Sequence, residues 1–181
     1  MSKQPYLVLR SDDIEPFTHP EETSYHSQHI LGRESAGTHD LMLNRGVVDP
    51  HHGLGGTNHP DNDEIYYALS GTSLLDLGGH PDTGEGSKTY RVDPGTTVFV
   101  PAGVFHRLRN VSDEPFALLT IWPQPAKRGA NGIHDMRLDT WGTGFKLRGG
   151  CELASDGDSM RVIEPGAAWD PQVETGATSL D

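Results

Sequence analysis

Two imidazoles and one carboxylate, His59, Glu64 and His106, stand at the ends of two strand-like segments. The first segment is HPDNDEIYYALSG (59–71) and the second is GTTVFVPAGVFHRLRN (95–110). Two His and one carboxylate form an open donor set for a divalent transition metal, with positions left for substrate or oxygen. Fe2+, Mn2+, Ni2+ and Zn2+ all accept such donors, and selection among them rests on geometry. Taken singly, each residue has a plainer reading. His59 suits an exposed loop, Glu64 a surface, and His106 a hydrogen-bonded core position. The metal reading therefore rests on the joint spacing.

Strand parity supports that spacing. Side chains two apart on a strand share a face. His106, Leu108 and Asn110 thus face one way and Arg107 and Arg109 the other. Glu64, Tyr66 and Ala68 form a second such set, opposite Ile65, Tyr67 and Leu69. Tyr66 has the parity to stand beside Glu64 as a substrate donor or acid, or as an aromatic core filler. Arg45 and Arg91 suit either an anionic substrate or a solvated strand face. His26, His29 and His39 in the N-terminal segment are candidates to cover the barrel mouth, although nothing fixes their spacing against the two segments.

These side chains need a β framework. DLMLNRGVV (40–48), IYYAL and SLLDL within 64–79, KTYRV (88–92), TTVFVP (96–101), HRLRNV (106–111) and FALLTIW (116–122) read as strands. Turn residues divide them every ~8–12 residues, which predicts an antiparallel sandwich or barrel. MRLDTW and MRVIEP are further strand candidates, WGTG a turn that packs Trp141, and GATSLD a disordered end. The expected organisation is an N-terminal arm over 1–38, a barrel over 39–125, and a C-terminal extension with a flexible tail over 126–181. No Ser–His–Asp arrangement, Walker loop or dinucleotide glycine pattern is present.

The two segments resemble the two motifs of the cupin superfamily. The second motif is G, five residues, P, one, G, two, H, three, N. Gly95, Pro101, Gly103, His106 and Asn110 match it throughout. His59, Glu64 and Gly71 match the second half of the first motif. The resemblance implies an all-β fold, an antiparallel double-stranded β-helix of the jelly-roll kind, with N- and C-terminal extensions. It also implies one metal held by His59, Glu64 and His106. The chain departs from the first motif at two places: Thr57 fills its first His position and His51 its leading Gly. Three outcomes follow. The three ligands hold the metal alone, His51 or His52 swings in as a fourth, or the barrel is a metal-free binding pocket.

The resemblance implies a metal-dependent enzyme on a small-molecule substrate. Two His and one carboxylate lean it towards a dioxygenase, with isomerase, lyase or cyclase chemistry as alternatives and a non-catalytic binding or sensor protein as the rival class. Glu64 and Tyr66 are the candidate catalytic residues. The net charge of −12 disfavours nucleic acid, since an acidic surface repels phosphate backbones. The single cysteine, Cys151, fits a reducing compartment. No apolar run reaches the ~18 residues of a membrane span. A cytoplasmic location without membrane contact is expected. Apolar strand edges predict a homodimer.

Overall fold

The structure is a computed structural model of the 181-residue chain. It describes residues 10–18, 20, 22–32, 38, 40–123 and the strand segments 145–146, 152–155 and 160–163. A short 3-10 turn at Ser11–Asp13 leads into β1 (Phe17–Thr18) and β2 (Tyr25–Leu31). Then come β3 (Leu41–Val48), β4 (Glu64–Ser70), β5 (Ser73–Leu77), β6 (Lys88–Val92), β7 (Thr97–Val100), β8 (His106–Asn110) and β9 (Phe116–Pro123). A six-stranded sheet runs β1-β2-β3-β9-β4-β7, and a three-stranded sheet runs β6-β5-β8. All of their pairings are antiparallel. The fold is all-β and antiparallel, as the spacing of turns predicts. Among the described residues no helix is long and apolar enough to cross a membrane.

The strand pattern MRVIEP contains β12 (Met160–Ile163). It pairs with β11 (Glu152–Ser155), which pairs in turn with β10 (Phe145–Lys146), in a separate three-stranded sheet. MRLDTW, WGTG, His39 and the end GATSLD lie outside the described residues.

Alternation sorts each strand. On β3, Met42, Asn44, Gly46 and Val48 face inward, and on β9 Phe116, Leu118, Thr120 and Trp122 do. The core lies between the two main sheets and joins Tyr25, Val48, Tyr66, Ala68, Leu75, Val92, Val100, Leu108, Phe116 and Leu118. Phe116 and Leu75 are fully buried. Each such side chain contributes about 1.5–3 kcal/mol relative to exposure. The outer face of β4 leaves Ile65, Tyr67 and Leu69 partly exposed, beside Phe99 on the edge strand β7.

The motif residues have structural causes. Thr96 N–H donates to Asp93 O and Val104 N–H donates to Pro101 O, closing two tight turns. Gly95 (φ 86°) and Gly103 (φ 77°) occupy their third positions in the left-handed region. Type II turns require that conformation there, and glycine adopts it without a steric cost. Asn110, buried on β8, donates its side-chain amide to the carbonyls of Val48, Asp49 and Glu114. It thereby ties the end of β3 to the β8–β9 turn.

Candidate metal centre

His106 opens β8 and Glu64 opens β4, so one residue from each sheet faces the interior at the same end. His59 reaches them from the loop before β4. That loop is pinned to the turn before β8: Gly103 N–H donates to His59 O at 2.9 Å, and Ala102 N–H donates to Asp63 Oδ1 at 2.9 Å. The turn that needs Gly103 therefore also sets where His59 stands.

Glu64 Oε2 lies 3.6 Å from His106 Nε2 and 4.0 Å from His59 Nε2. The three ligand atoms all fall within 4.8 Å of one another. A divalent ion about 2.1 Å from each donor needs donor separations of about 3.0–3.4 Å. Movements well within side-chain reach close that gap. His106 Nδ1 lies 3.1 Å from Val104 O. A carbonyl only accepts, so Nδ1 carries the proton and Nε2 presents its lone pair to the centre. The His59 ring sits 5.1 Å from that of His106 and edge-on to Trp122 at 4.5 Å.

The electrostatics suit a cation. Burial pushes Glu64 up to about 8, against the hydrogen bond from Tyr66, which acts to lower it. Burial and then the neighbouring His106 pull His59 down to about 4. Burial also lowers His106, with its Val104 hydrogen bond opposing. Both imidazoles are thus neutral near pH 7, the state that ligates. Every Lys and Arg among the described residues of 10–123 lies elsewhere. Arg45 bonds Gln28, Arg91 bonds Asp93, and Arg107 and Arg109 bond Asp76 on outer faces. Arg10 reaches Asp12, and Lys88 is exposed. A buried carboxylate without a cationic partner carries a large desolvation cost. A divalent ion would offset it, so the residues present fit a metal.

Tyr66 stands beside Glu64 as parity requires, and its hydroxyl donates to Glu64 Oε2 at 2.7 Å. Burial and the adjacent carboxylate raise the phenol well above its ordinary range. It stays protonated at neutral pH and holds the carboxylate in place. Trp122 is a neighbour that the motifs do not point to. Its inward parity on β9 is the one signal for it in the sequence, and FALLTIW masks that signal by reading as an undivided apolar run.

His51 and His52 are not brought to the cluster. The segment from His52 to Thr57 runs antiparallel to β8, with Asn110 N–H donating to His52 O and Thr57 N–H donating to His106 O. His52 therefore lies opposite Asn110, four residues and about 13 Å along β8 from His106. His51 bonds Asp113 and His52 bonds Pro50 O, both exposed. A fourth imidazole from this pair has no route to the cluster without unzipping that segment. Thr57 does pair with His106, yet its hydroxyl donates to Asn58 O. Thr57→Val is expected to leave metal occupancy unchanged by elemental analysis, because a hydroxyl is a weak ligand beside imidazole and carboxylate. Loss of metal in that variant would overturn the three-ligand set.

The other candidate histidines, His26 and His29, are not ligands of the cluster, and His29 stands opposite Asn44 on β3. His26 bonds Thr18 and Asp49. His29 is buried on β2.

The family described as Cupin domain matches residues 45–122. This segment is a cupin domain. A predicted oxalate decarboxylase from Thermotoga maritima superposes with a TM-score of 0.56 at 21% identity, covering 66% of this chain and 100% of that one. The oxalate decarboxylase of Lactobacillus farciminis gives 0.51 at 17% identity, over 62% of this chain and 32% of that one. At such identities the likeness shows the fold alone. Sequence similarity is higher to glucose-6-phosphate isomerases. The protein from Thermococcus onnurineus is 43% identical over 76 residues, 41% of this chain. That from Pyrococcus furiosus is 42% identical over 67 residues, 36% of this chain. The matches cover only 38% and 33% of those relatives' lengths. In length they are on the scale of the cupin domain.

Proposed function

We propose that the cupin domain is a metal-dependent enzyme site for a small hydroxy-carbonyl compound, and that its reaction is an aldose–ketose type of isomerisation. The observation that carries the metal-dependent part is the convergence of two neutral imidazoles and a buried carboxylate on one interior point. Support for isomerisation comes from the similarity to glucose-6-phosphate isomerases. Such a reaction moves hydrogen between adjacent carbons and needs no oxidant. A bound divalent ion would supply Lewis-acid polarisation of a substrate oxygen. His59, Glu64 and His106 would hold it. Tyr66 would keep Glu64 aimed, through the 2.7 Å hydrogen bond, and Val104 O would keep Nε2 of His106 aimed.

One observation favours a second reading. Two His and one carboxylate is the donor set of many ferrous oxygenases. The test separates the two. Protein loaded in turn with Mn2+, Fe2+, Ni2+ and Zn2+ is incubated with aldoses, ketoses, catechols and keto acids in deuterated water. Product isomers or carbon-bound deuterium by NMR support isomerisation. Oxygen uptake without them establishes an oxygenase. Neither signal on any substrate leaves a binding module, the class that Thr57 in place of a ligand suggests.

A further inference from the structure

The inner face of the six-stranded sheet is divided along its length. Its far end is apolar, built from Val48, Phe116, Leu118 and Ala68. The end that carries Glu64 is polar. There Asn44 pairs with Thr120, and Thr120 pairs with Tyr66, on three adjacent strands. Directly opposed side chains have Cβ atoms about 4.5–5.5 Å apart, so these three form a continuous strip. Trp122, two residues beyond Thr120, continues it to the ring of His59.

These groups are costly where they stand. Asn44 is 8% exposed, Thr120 5% and Trp122 7%. Packing alone would be served by aliphatic residues, as it is at the far end. The Trp122 indole N–H is buried and has no acceptor among the described residues. A buried donor left unmade costs about 1–3 kcal/mol. Buried polar groups that collect beside one centre are the usual means of orienting a bound ligand. Asn44, Thr120 and Trp122 are uncharged, the titratable neighbour of the strip is His29, opposite Asn44 on β2, and the arginines of these two sheets lie on outer faces with partners of their own.

We propose that Asn44, Thr120 and Trp122 form the substrate-selecting wall of the site, and that the ligand they select is a neutral polyhydroxylated molecule of monosaccharide type, not a sugar phosphate. The amide offers both a donor and an acceptor, the hydroxyl offers both, and the indole offers a donor. Together they match the two-way hydrogen bonding of sugar hydroxyls. A phosphate would call for cationic or helix N-terminal partners, which the wall does not supply. This names the substrate class for the reaction proposed above and rests on that reading.

Calorimetric binding to the Mn2+-loaded full chain tests it, with xylose, glucose and fructose against glucose 6-phosphate and fructose 6-phosphate. The neutral sugars are expected to bind more tightly than their phosphates. Thr120→Val, Asn44→Leu and Trp122→Phe should each weaken them about tenfold, the scale of one neutral hydrogen bond. Thr120→Ser should keep wild-type affinity, and metal content should stay unchanged in all four. Tighter binding of the phosphates overturns the proposal. So does unchanged affinity in Thr120→Val with Thr120→Ser alike, or binding of neither panel. The two readings fail separately. Turnover of sugar phosphates alone would keep the isomerase and discard the neutral ligand. Wall-dependent binding of neutral sugars without turnover would do the reverse.

Discussion

His106→Ala is expected to cost the protein its divalent ion and the stability that comes with it. His106 supplies the ligand nitrogen whose direction is already fixed by the Nδ1 contact to Val104 O, so no neighbour can replace it. A ligand that binds only the folded state stabilises it by RT ln(1 + [M]/Kd), about 2.7 kcal/mol at one hundred times Kd. For a chain of this size that corresponds to roughly 5–10 °C in melting temperature. Chelator should therefore lower the Tm of the wild type by that amount and leave His106→Ala unmoved. A variant that retains full metal by elemental analysis would remove His106 from the site. The same site has a pH signature. Glu64 is raised to about 8 in the metal-free fold, against about 4.3 in an unfolded chain. The folded state thus holds a proton that the unfolded state has lost. Stability of the chelated protein from this group is fully present below pH ~4, falls as pH rises, and is lost above about 8. Metal uptake must displace that proton, so apparent metal affinity should climb over the same interval.

Alternation in EIYYAL and HRLRN is enough to place Glu64, Tyr66 and His106 on inward faces, and the strands bear it out. The turns at Gly95 and Gly103 are legible for the same kind of reason, since Pro and Gly at fixed offsets admit few backbone shapes. Both signals are local. The residues that are not legible in the sequence depend on pairing across the fold. The parity of His51 with His59 leaves it available as a ligand, because parity gives no distance. Only the zipper from His52 to Thr57 along β8 shows that it ends beside Asn110. Trp122 and Thr120 are hidden for a different reason. FALLTIW is apolar at Ala117, Leu119 and Ile121 as well as at inward positions, and Ala117 is buried, so the sequence of β9 shows no period-two contrast. Asn44 is hidden by the same register, which alone sets it opposite Thr120.

Glu64→Gln is expected to lower turnover by at least ~100-fold, the low end for loss of a positioned catalytic group, even when excess metal restores occupancy. The substitution keeps shape and one oxygen donor. It removes the single negative charge of the donor set, which governs the acidity of whatever binds at the open positions. It also creates a conflict. Glu64 Oε2 accepts from Tyr66 while facing both imidazoles. Glutamine has one oxygen for those tasks, and its amide nitrogen can serve neither as acceptor nor as ligand. The metal-free protein supplies an internal control. Its Glu64 is largely protonated at pH 7, because burial holds it at about 8. The neutral glutamine, which ionises in neither state, should therefore match the chelated wild type near pH 4, exceed its stability at pH 7, and abolish its decline towards pH 8. A fall in turnover with that stability profile locates the defect in the charge of the site and not in folding. Turnover that survives Glu64→Gln at full metal occupancy would contradict the carboxylate's role. Absence of turnover in the unmodified protein, with ligand affinity only modestly changed by the substitution, would instead establish the cupin domain as a binding module.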